Sequence, residues 1–394
     1  MNSTPIVSDY PSTARAKVHE LQSSKIREIA NAAMGRPNVL PFWFGEPDVP
    51  TSDEVCAAAI RSLEARETFY VQTLGLPELR EQVATYVSNL HSPRSVENVA
   101  VTGSGTSSLM LALQSIVDVG DRLVAVVPLW PNLLEMPRVL GAHVTTVSLD
   151  FSAAGWQLNL ERLIDALIPG TKALLLNSPG NPTGWVLLPE ERNALLEHCR
   201  KHGIWIISDD VYERIYYEGN VSPTFLDVAD PEDRVISCNS FSKAWRMTGW
   251  RVGWIVVPKT MGTDIGKLIE FNNGGVPAFV QRGALHAMAR GEADVASTVA
   301  RLKTSRDQLA EGLASMPRVQ TPPAAKGAMY TLFKVDGMTD SLAFAKDLID
   351  KVGLGLAPGS AFGAEGEGYL RWCFASSKQR IDDGLDRFRR YLMT

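Results

Sequence analysis

A series of short, nearly unbroken apolar runs constrains this chain most: Val99-Ala-Val-Thr, Leu123-Val-Ala-Val-Val, Val144-Thr-Thr-Val, Ala173-Leu-Leu-Leu, Ile204-Trp-Ile-Ile, Val235-Ile-Ser-Cys and Gly253-Trp-Ile-Val-Val. Strands that are apolar on successive residues are buried on both faces, so helices must cover them, and that arrangement belongs to a mostly parallel sheet. Helical stretches separate most of the runs. The expected fold is therefore α/β, a large domain whose mostly parallel sheet is flanked by helices. Ligands of such sheets sit beyond the carboxyl ends of the strands.

After about residue 280 the texture changes. Val280 to Ala289 and Val295 to Leu313 read as helices, Pro317, Pro322 and Pro323 interrupt, and Met329-Tyr-Thr-Leu-Phe-Lys-Val alternates like a strand. A helix over Ser341 to Val352, strands near Leu354 and Tyr369, and an amphipathic helix after Ser377 complete a smaller α+β domain. The segment before Gly35 has helical spacing at Ile26, Ile29, Ala30 and Ala33 and is assigned to the same unit, as is the short strand at Leu40. The predicted division is 45–280 for the large domain, and 1–44 with 281–394 for the small one. Thr51 to Ala65 reads as a helix capped by Thr51 or Ser52.

A chain of 394 residues is long enough for two cores, and 45% hydrophobic with 21% charged residues is the balance of a soluble globular protein. A net charge of -5 offers no basic footprint for nucleic acid or anionic lipid. Cys56, Cys199, Cys238 and Cys373 are widely separated, which fits reduced thiols rather than a disulfide framework or a metal site. Met1 to Tyr10 lacks a signal-peptide pattern, so a cytoplasmic location is expected.

The chemistry-bearing stretches follow the strands. Ser240-Phe-Ser-Lys-Ala-Trp-Arg-Met-Thr-Gly-Trp-Arg-Val-Gly-Trp sets Lys243 among hydroxyls and aromatics, with Arg251 downstream. An amine held among Phe241, Trp245 and Trp250 has its charged form partly desolvated, which lowers its pKa and makes it a nucleophile toward an aldehyde. Taken alone, a lysine in a chain is far more often a solvated loop residue, and an arginine such as Arg251 a surface ion pair. Thr102-Gly-Ser-Gly-Thr-Ser-Ser feeds a helix, which suits an anion or a plain cap. Ser208-Asp209-Asp210-Val-Tyr212 ends a buried strand, Asn177-Ser-Pro-Gly-Asn-Pro-Thr-Gly is rich in turn residues, and Tyr369-Leu-Arg371 puts an arginine on an apolar strand, which is costly unless an anion pairs with it.

Ser240-x-x-Lys243 with Arg251-Val-Gly downstream resembles the cofactor-lysine signature of class I/II aminotransferases, the fold-type I pyridoxal phosphate enzymes. The other stretches follow in that family's order from about Leu40 to Ser377. The resemblance implies that Lys243 forms a Schiff base with pyridoxal 5'-phosphate and moves the substrate's α-proton. It implies that Asp209 pairs with the ring nitrogen, that Tyr212 and Asn181 donate to the ring's phenolic oxygen, and that Trp130 stacks on the ring. Ser104, Gly105, Thr106, Ser240, Ser242 and Arg251 would hold the phosphate. Gly45, Asn181 and Arg371 would meet the substrate, with Arg371 clamping its carboxylate, and no metal is called for. Tyr70 would reach a neighbouring chain's cofactor in a homodimer with shared active sites. The reaction so implied moves an amino group between an L-amino acid and a 2-oxo acid. A lyase performing α/β-elimination is the enzymatic alternative, because the same ring-binding residues serve both. A non-enzymatic regulator on an inactive domain would have lost Lys243 or Asp209, and both are present.

Aspartate-preferring members of that family carry either a lysine at the position of Thr106 or a neighbouring chain's arginine near the position of Glu270. Neither cation is here, so a donor range not strictly dicarboxylic is expected, with Arg15, Arg36 or Arg282 left as other cations for a second carboxylate.

Overall fold

The computed structural model describes residues 14–393. Residues 1–13, assigned above to the small domain, lie outside the described residues, as does Thr394.

The apolar runs become strands β1 (Val99–Thr102), β2 (Arg122–Val127), β3 (His143–Ser148), β4 (Thr171–Asn177), β5 (Trp205–Asp209), β6 (Val235–Ser240) and β7 (Gly253–Val256). They form one sheet in the order β1-β7-β6-β5-β4-β2-β3. Leu123, Val124 and Ala125 are each fully buried although they alternate sides, as strands covered on both faces must be. β2 to β6 run parallel, whereas β7 runs antiparallel to both β1 and β6. The reversal has a local cause. A parallel neighbour needs a crossover, but residues 241–252 turn back on themselves and bring Gly253 opposite Ser240. The lysine loop is this turn, at the carboxyl end of β6.

A second, antiparallel sheet joins β8 (Val319–Gln320), β9 (Tyr330–Val335), β10 (Ala357–Pro358) and β11 (Tyr369–Cys373) in the order β8-β9-β11-β10. Helix α1 (Lys25–Ala32) adds Ile26 and Ile29 to its core, beside Phe333, Leu348 and Trp372. The helices predicted after residue 280 run slightly longer, Ala278–Arg290 and Glu292–Ala314, and Ser341–Val352 has the predicted bounds. Ala278–Arg290 packs against Asp53–Glu64, on the side of the large sheet.

The expected cap of Asp53–Glu64 is absent. Ser52 makes no side-chain cap bond. The Thr51 hydroxyl donates to the Arg246 carbonyl (2.8 Å) and accepts from Trp250 Nε1 (2.9 Å), so it is committed to the lysine loop. Among the described residues no helix is long and apolar enough to cross a membrane.

Candidate active site

The carboxyl ends of β4, β5 and β6 open into a cavity of about 390 Å³. Lys243 reaches into it from the turn after β6, with its Nζ 5.6 Å from the centre of the Tyr212 ring. Its Nζ donates to the Gly45 carbonyl at 2.7 Å. Burial pushes its pKa down from 10.5 to about 8, and the nearby Arg371 adds to the effect. Roughly one amine in ten is then neutral at pH 7. In cofactor-free protein, the rate of Lys243 modification by an amine-selective acylating reagent should therefore rise with pH through a midpoint near 8; a midpoint near 10.5 would show that burial leaves the amine untouched.

Asp209 closes β5 and faces the same cavity. Burial and the adjacent Asp210 push its carboxyl upward. Asp210 points away and is satisfied by the hydroxyls of Ser208 (2.6 Å) and Ser237 (2.5 Å). The Asp209 carboxyl receives only a long bond from Val211 N (3.4 Å), and among the described residues it has no ion pair. A buried carboxylate so placed calls for a cationic hydrogen-bond donor, and a protonated pyridine nitrogen is one.

At the other end lies helix α2 (Gly105–Ile116), whose first residues line the cavity with Ser240, Ser242 and Arg251. A Cβ on Gly105 would sit 3.0 Å from Val211 Cγ1 and 3.1 Å from Ser240 Cβ, so glycine lets the helix start pack close to the sheet. The Ser240 and Ser242 hydroxyls are 2.9 Å apart. Backbone N–H groups, hydroxyls and a guanidinium make a cradle suited to a phosphate. The Ser104 side chain is not part of it: its hydroxyl accepts from Ser107 N at 3.0 Å and caps α2.

Arg371 enters from β11, 2% exposed. Its guanidinium donates to Asn181 Oδ1 (3.1 Å) and to the Trp43 carbonyl, while its Nε is buried without a partner. No carboxylate pairs with it among the described residues, which leaves a buried cation aimed into the cavity and suited to an anionic substrate. Trp130, Thr106, Tyr212, Asn181 and Gly45 also line the cavity as expected. Tyr70 does not; it is 99% exposed on the surface of its own chain.

Tyr330 escaped the sequence reading. Its hydroxyl lies 2.7 Å from that of Tyr212, and the Arg371 guanidinium sits 4.5 Å from its ring centre. A Cβ at position 45 would fall 1.8 Å from the Tyr330 oxygen, so only glycine fits there. The strand alternation around Tyr330 carried no hint of this. Arg27, on α1, also lines the cavity and was passed over.

Comparison with known proteins matches residues 37–388 to the family model described as aminotransferase class I and II. An aspartate aminotransferase from Thermotoga maritima is 32% identical over 381 residues, covering 95% of this chain and 98% of the relative. A probable aspartate/prephenate aminotransferase from Aquifex aeolicus is 32% identical over 394 residues, 96% and 95% of the two chains. A probable N-acetyl-LL-diaminopimelate aminotransferase from Bacillus subtilis is 29% identical over 380 residues, 96% and 95%. The structure of a Thermus thermophilus aspartate aminotransferase mutant superposes with a TM-score of 0.90 at 30% identity, covering 97% of this chain and all of that one.

Proposed function

The chain belongs to the class I and II aminotransferases and is a transaminase, and we propose that it moves the amino group of an L-amino acid to a 2-oxo acid in this cavity with pyridoxal 5'-phosphate as its cofactor. The observation that carries the site assignment is one cavity faced by three groups: a half-buried amine, a buried carboxylate without an ion pair and a buried guanidinium without an anion. The relatives are aminotransferases, which does not favour the elimination alternative.

Bound here, pyridoxal phosphate supplies an electron sink that acidifies the substrate's α C–H bond. The start of α2, Ser240, Ser242 and Arg251 take its phosphate, the Asp209 carboxylate holds the ring nitrogen's proton, and Trp130 covers the ring. Tyr212 and Asn181 donate to the phenolic oxygen. Arg371 fixes the substrate's α-carboxylate by a two-pronged contact, which orients the α C–H bond. Lys243, neutral in part because it is buried, removes that proton and later delivers one back.

The donor range is not strictly dicarboxylic in this reading. The names of the three relatives involve aspartate, prephenate and diaminopimelate, compounds with a second carboxylate. Here, however, position 106 is threonine, and Glu270 is engaged at 3.1 Å by the Thr73 hydroxyl. With one common oxo acid, kcat/KM for aspartate and glutamate should stay within about tenfold of the best of alanine, phenylalanine, methionine and lysine. A larger lead for aspartate or glutamate defeats this donor range; ammonia release without any need for an oxo acid defeats transamination itself.

The working form in this proposal is a cytoplasmic homodimer with shared sites, each chain divided near residue 45 and, since helix Ala278–Arg290 packs on the large-sheet side, after that helix rather than at 280. The exposed Tyr70 and Phe69, and an apolar groove lined by Ile60, Leu63, Trp250 and Phe279, support the dimer. Mixing inactive Lys243→Ala chains with inactive Tyr70→Ala chains should restore up to about a quarter of the activity, since half of the dimers are mixed and one of their two sites is intact. Absence of any recovery after verified subunit exchange would mean that Tyr70 serves no neighbouring site.

A further inference from the structure

Lys243, Arg251, Arg371 and Arg27 are the cations lining the cavity among the described residues. The first three are occupied by the reaction proposed above, and Arg27 is left over. Its placement follows from α1. Ile26 and Ile29 are buried, 8% and 0% exposed, in the core they share with Leu354 and Phe362, and this sets the rotation of the helix. Arg27, about 100° around from Ile26, is exposed and lines the cavity beside Ile26. Its backbone N–H donates to Ser24 Oγ, but among the described residues no hydrogen bond or ion pair holds its guanidinium.

The other arginines considered for a second carboxylate are spent elsewhere. Arg15 donates to the Val139 carbonyl (2.8 Å), Arg36 pairs with Asp350 (2.6 Å), and Arg282 pairs with Glu67 (3.1 Å) and Glu78 (3.3 Å). None of the three lines the cavity. Helix α1 packs on β10, whose Ala357 is the register partner of Arg371 on β11. Arg27 and Arg371 are thus carried by one packed unit and face one cavity. Glu46 also lines the cavity, but Thr248 Oγ1 donates to its carboxylate at 2.5 Å.

We propose that Arg27 receives the distal carboxylate of a dicarboxylic amino acid or 2-oxo acid whose α-carboxylate lies on Arg371. A planar guanidinium fork matches a carboxylate. Because Arg27 is solvent-exposed, the contact adds a modest preference and leaves neutral side chains acceptable. The inference rests on the transaminase reading and makes Arg27 a specificity residue of that reaction.

The test is a ratio. In Arg27→Ala and Arg27→Gln, kcat/KM for aspartate divided by that for phenylalanine should fall about fivefold, through KM, while Arg27→Lys keeps most of the wild-type ratio. A ratio unchanged in both overturns the proposal. A binding measurement separates this from failure of the functional reading. The wild-type holoenzyme should bind succinate about fivefold more tightly than butyrate, and Arg27→Ala should bind the two alike. Equal binding by the wild type, or a preference that survives Arg27→Ala, overturns the role of Arg27 even if no donor is turned over.

Discussion

Lys243→Ala is expected to lower kcat by about 10,000-fold or more with each amino acid while changing KM little. General acid–base transfer alone accounts for up to about that factor. The same amine is the only lysine lining the cavity among the described residues, so no neighbour can substitute for it. Borohydride treatment of the loaded wild-type protein followed by peptide mapping should find the cofactor fixed to the peptide that contains Lys243. Attachment at another lysine, or a loss of kcat below about a hundredfold, would be incompatible with this assignment.

Arg371→Ala carries the second-largest expected effect, a loss of kcat/KM for amino acids of roughly 30-fold to a few thousand-fold, the range for removing one side of a desolvated charge pair. Arg371→Lys should recover only part of it, because an ammonium cannot reproduce the fork. The control is a substrate amine without a carboxylate, whose kcat/KM should change far less; equal losses for both would mean that the variant damages the fold. Thermal unfolding of the variant distinguishes the two, since the change also strands Asn181 Oδ1 and the Trp43 carbonyl.

The sheet was legible because strands buried on both faces must be written in apolar residues, in short runs separated by helical stretches. The reversal of β7 was not. Its direction depends on how residues 241–252 fold back, and apolarity is the same in either direction. Site residues were legible where they sit in particular strings around Lys243, Asp209 and Asn181. Tyr330 was hidden because a strand pattern reports which face is buried and not what that face meets. Arg27 was hidden because the periodicity of α1 draws the eye to Ile26 and Ile29. Ser104 was overread: a hydroxyl before a helix start can serve an anion or the helix, and here it bonds Ser107 N.

The two ends of the site are joined by a chain of short contacts. Asn177 Nδ2 donates to the Asp209 carbonyl (2.9 Å), Asn177 Oδ1 accepts from Asn181 N (2.7 Å), and Asn181 Oδ1 accepts from Arg371 (3.1 Å). In the proposed reaction the anchor for the ring and the anchor for the carboxylate are therefore held at a set span, and the cavity would act as a gauge of substrate length. An amino acid whose amine sits one carbon farther from its carboxylate is displaced by about 1.5 Å. A misplacement of that size costs on the order of a hundredfold in rate, so the asparagines make the enzyme a reader of the α position before any side chain is consulted.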